Sequence, residues 1–484
     1  MHRFRKVIPL ILFLLALVLY ATFLSSSFEE WDSVQFALGV KDYDVARHQP
    51  HPPGYPVYVF LGWVLYQITH SMVFSLAIVN AVFAAVAIVP FYYLGEKIFD
   101  EKVALISSLL LIVNPAYWLT AEKTLSDGLA VSLIMVSIYF LYSELHSSDN
   151  RRVYASFILL GLAIGVRQTL FPFLIVWIVF LWKKRRIMLQ GGTLFLLTCL
   201  SWFIPMVYLT GFDRYLMATK GQSAVLYGDS IFNPSITSYG VLKRIFYEYL
   251  IKDYLWISWG AVPHLEPLIL KLLSIATFAV LFMLGIRFLL NVKLKKWSFR
   301  KTFFLLVLIP YGVWMILMMA PLNDRYVLPT VPWLCLLLGW VSWKKGFRYD
   351  KIRTGVIVSL ILMTSIHTAY YANILHNVSS PPTQLVDYVT RHYDPATTLI
   401  LCSSEKRYFD YYHPEYNVII VYDPIEAAGV MNKFNGTILI TDFAAQRLSS
   451  TVKIENKLTL VASFERDTLV HRRNWKILLY EYER

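Results

Sequence analysis

About eleven apolar stretches govern what this chain can fold into: 7–24, 72–94, 103–119, 128–143, 153–166, 168–182, 187–210, 267–288, 302–321, 326–343 and 354–375. Crossing the hydrocarbon of a bilayer takes about 20 apolar residues in an α-helix, with a range near 17–25. A spanning backbone must satisfy its own polar groups, and long continuous apolar runs do so as helices. Composition agrees: 57% of the 484 residues are hydrophobic and only 16% charged, against about 25% charged in a soluble domain. The 14 Trp and 32 Tyr suit interfacial belts. Stretches 153–166 and 168–182 are short and flank Arg167, so one long kinked helix is the alternative there.

The basic residues decide between these readings. With His2-Arg3-Phe4-Arg5-Lys6 inside, span parity makes 95–102, 144–152, 183–186, 289–301 and 344–353 the inner loops. They hold Lys97 and Lys102, Arg151-Arg152, Lys183-Lys184-Arg185-Arg186, Lys293, Lys295 and Lys296 with Arg300-Lys301, and Lys344-Lys345 with Arg348. Every dense basic cluster then lies on the cytoplasmic side, as positive-inside topology requires. Fusing 153–182 would break that pattern. A net charge of +13 invites a nucleic-acid partner, but basic clusters set between apolar runs exclude one. Cys199, Cys335 and Cys402 show no metal spacing and no disulfide framework. The first run lacks a small-residue cleavage site, so an uncleaved, multi-pass protein of the plasma (inner) membrane is expected, its N-terminus cytoplasmic.

The same parity puts 25–71, 120–127, 211–266, 322–325 and everything after 375 outside. Residues 57–69 are apolar but too short to span, and read as a juxtamembrane or re-entrant helix. WDSVQFALGV, 31–40, reads as a short amphipathic helix with Trp31, Val34 and Leu38 on one face. Beyond the transmembrane region, 1–376, strand-like runs at 398–402, 417–422, 436–442, 457–464 and 475–482 alternate with helix-like stretches such as 383–393 and 425–434. A small extracytoplasmic α/β domain over 377–484 follows. No Gly-rich phosphate loop follows its strands. The expected fold is mostly α: a polytopic bundle of about 11 spans with an α/β tail.

Chemistry concentrates outside. Residues 28–58 hold Glu29, Glu30, Asp32, Asp42, Asp44, His48, His51 and a His-Pro-Pro-Gly-Tyr-Pro turn. Carboxylates are costly beside lipid, so such a cluster is a functional-site hypothesis, with a solvated loop as the alternative. Glu122 and Asp127 add acids on the next outer loop, where Asp127 could equally serve as a helix cap. Asn323, Asp324, Arg325 and Tyr326 stand at the mouth of a helix, and parity brings Arg167 to the same face. Arginine there suits a phosphate bidentately; snorkelling or an ion pair with Asp324 is the alternative. Acids plus arginines suit transfer of a sugar from a polyprenyl phosphate. The acceptor hydroxyl needs a base, the departing phosphate needs cations, and no general acid is required.

The residues so assembled resemble the GT-C superfamily of polytopic glycosyltransferases, closest to its protein O-mannosyltransferase-like and lipopolysaccharide sugar-transferase-like branches. The resemblance is carried by motif order over 1–375: one span, an acidic loop with WDS and HPPGYP, then NP-x-YW followed by E-x-x-x-x-D, GLAIGVRQ and RYVLPTVPW. It implies a GT-C bundle and inverting transfer to a lipid, glycan or protein acceptor. Asp32 matches the first acid of the family's Asp-Glu pair, the base or acceptor-orienting group; Ser33 stands where the second acid usually is, and Glu30 or Asp44 could substitute. Asp127 matches the acid of the second external loop. Arg325 matches a lipid-phosphate-binding residue, with Tyr326 beside it and Arg167 and Lys123 as helpers. His48 and His51 fall in the loop that would cover the donor. Asp32 and Asp127 could hold Mg or Mn through oxygen ligands, or no metal at all.

A rival reading is a transporter or flippase of lipid-linked sugars. Transporters carry their charges near the midplane, often in paired repeats. Here the acids lie in loops and no repeat is visible. A receptor role for the tail is a third reading.

Overall fold

Apolar side chains in lipid leave the backbone no partner but itself, and every expected span is occupied by a helix in the computed structural model. It describes residues 2–144, 149–233, 235–257, 259, 268–291, 299–319, 324–343, 350–468, 470 and 475–483. The helices are His2–Thr22, Met72–Ile98, Glu101–Ile112, Asp127–Glu144, Arg151–Val166, Leu174–Leu181, Arg185–Thr210, Leu268–Asn291, Phe299–Met318, Val331–Trp343 and Asp350–Asn377. Met72–Ile98, Asp127–Glu144, Arg185–Thr210 and the last of these are long and apolar enough to cross a membrane alone. Val7–Thr22, Gln168–Leu181, Lys271–Leu284, Thr302–Met318 and Leu328–Trp343 are shorter apolar helices. Lys293, Lys295, Lys296, Lys344, Lys345, Arg348 and Asn323 lie outside the described residues.

Two interruptions have local causes. The expected span 103–119 is broken into Glu101–Ile112 and Pro115–Glu122, bent by 54°. Pro115 has no N–H to continue the helix, and the Asn114 side chain caps the new one by accepting from Tyr117 N at 3.1 Å. At Arg167 the backbone is extended, φ −153° and ψ 106°. The chain turns there through a 3-10 segment, Gln168–Phe173, before Leu174–Leu181. The two short stretches are thus separate helices rather than one kinked span.

The expected helix over 57–69 is Pro56–Thr69, and WDSVQFALGV lies in Trp31–Lys41. The latter is not amphipathic as expected, because Ser33 through Val40 are all buried. It packs against both Pro56–Thr69 and a short helix of the C-terminal region, Lys406–Tyr412. Gly54, at φ +110°, turns the chain between the acidic loop and Pro56–Thr69. A side chain there would strike Met206 and the Tyr43 hydroxyl, which donates to Gly54 O at 2.7 Å.

After Pro381–His392 the chain forms one five-stranded sheet, β1 Thr398–Cys402, β2 Asn417–Ile420, β3 Thr437–Thr441, β4 Leu458–Glu465 and β5 Lys476–Tyr482. The order is β2-β1-β3-β5-β4. β2, β1 and β3 are parallel, joined by Lys406–Tyr412 and Pro424–Lys433; β5 and β4 close the sheet antiparallel. The side chains of β1 are all buried, as a central parallel strand requires. This α/β region sits at the end of the bundle that carries Asp32.

Candidate active site

Asp32 is placed by a helix start. Glu30 is the N-cap of Trp31–Lys41, and Ser33 Oγ accepts from Glu30 N at 3.3 Å. Ser33, where a second acid was expected, therefore serves the cap. Asp32 falls in the first turn, where the helix dipole favours a carboxylate. Its Oδ2 accepts from Arg325 Nη1 at 2.8 Å, and its Oδ1 lies 3.7 Å from His51 Nδ1. His51 is itself held: its Nδ1 lies 2.9 Å from Gln35 Oε1 and its Nε2 2.8 Å from the Tyr55 hydroxyl. Gln35 Oε1 only accepts, so Nδ1 carries the proton and Nε2 accepts from Tyr55.

Asp127 opens the helix Asp127–Glu144. It is a first-turn acid there, and its carboxylate meets Arg167 Nη1 at 2.7 Å and Arg325 Nη1 at 3.9 Å. Asn80, alone in an apolar helix, shapes this loop. Its amide nitrogen donates to Lys123 O at 2.8 Å and to Leu125 O, and its oxygen accepts from Leu129 N at 2.8 Å. Arg167 also donates to Thr169 Oγ1 at 3.2 Å and lies 5.7 Å from the Tyr326 ring. Arg325 Nη2 is 3.6 Å from Glu30.

Four distant segments thus form one array: Glu30, Asp32 and His51, then Arg325, Asp127 and Arg167. The side chains of Asp127, Arg167 and Arg325 are 2%, 7% and 8% exposed, those of Glu30 and Asp32 23% and 24%. The array is therefore most open at the Glu30–Asp32 edge. Burial opposes ionisation of Asp32, but His51, Arg325 and Arg167 outweigh it and hold the carboxyl below the usual carboxylate range. His51 is pushed down by burial, with Asp32 pulling the other way. It is neutral at pH 7, which leaves the arginines to keep Asp32 charged. Burial likewise opposes the charge on Arg325, yet Glu30, Asp32 and Asp127 raise its pKa above the ordinary arginine value.

Other expected members lie elsewhere. Lys123 Nζ donates to Val470 O at 3.1 Å, outside the array. Asp44 accepts from Ala46 N at 3.0 Å and Arg47 Nε at 2.8 Å and pairs with Arg214, so it is not spare for the role of second acid. His48 ends the turn Val45–Arg47 in the left-handed region. Among the described residues no three His, Cys, Asp or Glu side chains could hold a metal. In the resting array the Arg325 guanidinium lies between Asp32 and Asp127, where a cation between them would sit. Gln35, Tyr55, Asn80 and Thr169 were not anticipated. Asn80 stands alone as an Asn in an apolar run and Tyr55 belongs to the His-Pro-Pro-Gly-Tyr-Pro turn, whereas Gln35 and Thr169 carry no signal.

Residues 50–209 match the model of the dolichyl-phosphate-mannose-protein mannosyltransferase family. The structure superposes on ArnT from Cupriavidus metallidurans bound to undecaprenyl phosphate, with TM-score 0.55 and 12% identity over 98% of this chain and 97% of that one. The chain has the GT-C fold. A second GT-C likeness is to the archaeal oligosaccharyltransferase AglB from Archaeoglobus fulgidus, in complex with an inhibitory peptide and a dolichol-phosphate. There the TM-score is 0.52 and identity 12% over 90% of this chain and 69% of AglB. No curated protein matches the sequence. The family match takes in Asp127 and Arg167, while Asp32 and Arg325 lie outside it.

Proposed function

We propose that this chain is a membrane glycosyltransferase that moves a sugar from a polyprenyl-phosphate donor to a hydroxyl of a lipid, glycan or protein acceptor, with inversion. The observation that carries the reading is the convergence of Asp32, Asp127, Arg167 and Arg325 at one end of an apolar bundle. The undecaprenyl phosphate of ArnT and the dolichol-phosphate of AglB support the donor class. The extracytoplasmic face of the plasma membrane is part of the proposal. It is supported by Arg151, Arg152 and Lys183–Arg186, which sit at the helix ends away from Asp32.

Asp32 takes the proton of the acceptor hydroxyl as its oxygen forms a bond to the anomeric carbon. The bond from that carbon to the phosphate oxygen breaks on the opposite face, and the polyprenyl phosphate leaves with the electron pair. Arg325 and Arg167 hold the charge that grows on it. Asp32 is paired with Arg325 in the resting array. A phosphate must therefore draw Arg325 away from Asp32. That exchange raises the proton affinity of Asp32 only when donor is present, which guards against idle proton uptake.

The test is mass spectrometry of lipid-linked sugars from cells carrying wild type or Asp32→Asn. The expected result is loss of the glycosylated product and build-up of the polyprenyl-phosphate sugar, with normal membrane insertion of the variant. Unchanged product in Asp32→Asn cells would reject the role of Asp32.

A further inference from the structure

Between His2–Thr22 and Trp31–Lys41 the chain has no regular secondary structure over residues 24–30, so its own backbone does not fix where Asp32 stands. Ser25 bonds through its N–H to Glu122 O at 3.1 Å and through its hydroxyl to Glu29 Oε1, and the C-terminal region supplies the other anchors. Ser380 donates its N–H to Ser27 Oγ at 2.9 Å and its hydroxyl to Phe28 O at 2.7 Å. The Phe28 ring is buried against Tyr411 and Tyr412, with centroids 5.0 and 5.8 Å away. Deepest is Glu29, whose Oε2 accepts from Arg466 Nη1 at 2.6 Å, with neither side chain exposed at all. Arg466 Nη2 donates to Leu375 O at 2.8 Å and to Ile374 O at 3.3 Å, on the last long helix. The Arg466 N–H bonds to Trp475 O at 2.8 Å, just before β5. One residue thus ties the sheet, the helix Asp350–Asn377 and the loop three residues ahead of Asp32.

A carboxylate sealed from water needs its counter-ion or must move to find another partner. Glu29 cannot move without carrying Glu30, the N-cap from which Asp32 is set against Arg325. We propose that Arg466 is a positioning residue of the transfer site: through Glu29 it sets Asp32 in place, which makes the α/β region a working part of the site. The inference rests on the sugar-transfer reading of Asp32. A misplacement of about 1 Å at a reacting group costs on the order of 10²-fold in rate.

The experiment uses the full chain in proteoliposomes, with a polyprenyl-phosphate sugar as donor and amide hydrogen exchange as a second readout. Arg466→Gln is expected to lower kcat by roughly 10²-fold with the donor KM within about 2-fold. Exchange should quicken at residues 25–33 and not in β1–β5. Adding Glu29→Gln to Arg466→Gln removes the buried charge that Arg466 balanced, and should slow that exchange again and recover most of the rate. Unchanged exchange at 25–33 overturns the proposal whatever the transfer rate does. So does faster exchange with undiminished kcat, and so does faster exchange spread through β1–β5, which would mean that Arg466 only holds the sheet together. A wild type that transfers nothing defeats the sugar-transfer reading instead, and the exchange data still decide whether Arg466 holds the Asp32 segment.

Discussion

Arg167 and Arg325 at one end of the bundle are less than a tenth exposed and each touches a carboxylate. At the other end Lys183, Arg185 and Arg186 line an open cleft of about 770 Å3 with Asn150, Tyr154 and Gln190. These three are exposed and meet no carboxylate among the described residues. Both ends carry cations, yet they answer to different costs. Exposed cations stay hydrated and serve topology, at little energetic consequence. Buried ones are kept only where opposite charges surround them, and such a set is expensive to break. Buried and paired charge is therefore the better marker of chemistry than basicity as such.

That contrast breaks most sharply at Asp32. Asp32→Asn keeps shape and removes the base, and should cut transfer by about 10³-fold or more; radiolabelled sugar transfer with normal detergent-purified folding checks it. Next comes Arg325→Gln, expected to lose about 10²–10³-fold in kcat because the leaving phosphate loses its charge partner. Arg325→Lys should recover part of that, since a point charge replaces a fork. His51→Gln should cost roughly 10-fold, the order of one hydrogen bond. Burial holds His51 below its ordinary value of about 6.5, so its neutral form persists as pH falls to that value. Titration of kcat/KM from about pH 7 down to 6.5 should show no midpoint that belongs to His51. An inflection in that window that vanishes in His51→Gln would contradict the assigned neutral imidazole. The smallest effect belongs to the other end. Arg185→Gln with Arg186→Gln should leave transfer within about 2-fold, as surface changes away from packed groups do. A large loss there would erase the contrast.

Much of this was legible beforehand, for physical reasons. Apolar runs report the bilayer directly, and basic parity separated 153–166 from 168–182 at Arg167, where the backbone does turn. Asp32, Asp127, Arg167 and Arg325 stood out because charge beside lipid is rare. Their pairing did not: Asp32 and Arg325 lie 293 residues apart, and no local pattern joins them. Lys123 looked like a helper from its loop, yet its side chain reaches Val470. Asn80 and Gln35 were passed over, since their work is done on backbone and ring atoms that only the folded loops bring near. Arg466 was one arginine among many until the fold sealed it against Glu29. The amphipathic reading of 31–40 failed because Lys406–Tyr412, far along the chain, covers what would have been its open side.

The most direct measurement is the initial rate of sugar transfer from a purified polyprenyl-phosphate sugar to an acceptor hydroxyl, by purified wild type and Asp32→Asn in proteoliposomes. The account predicts product with inverted anomeric configuration from the wild type and at least about 10³-fold less from the variant. Equal rates from the two proteins, or movement of the donor across the bilayer with no product formed, would contradict it.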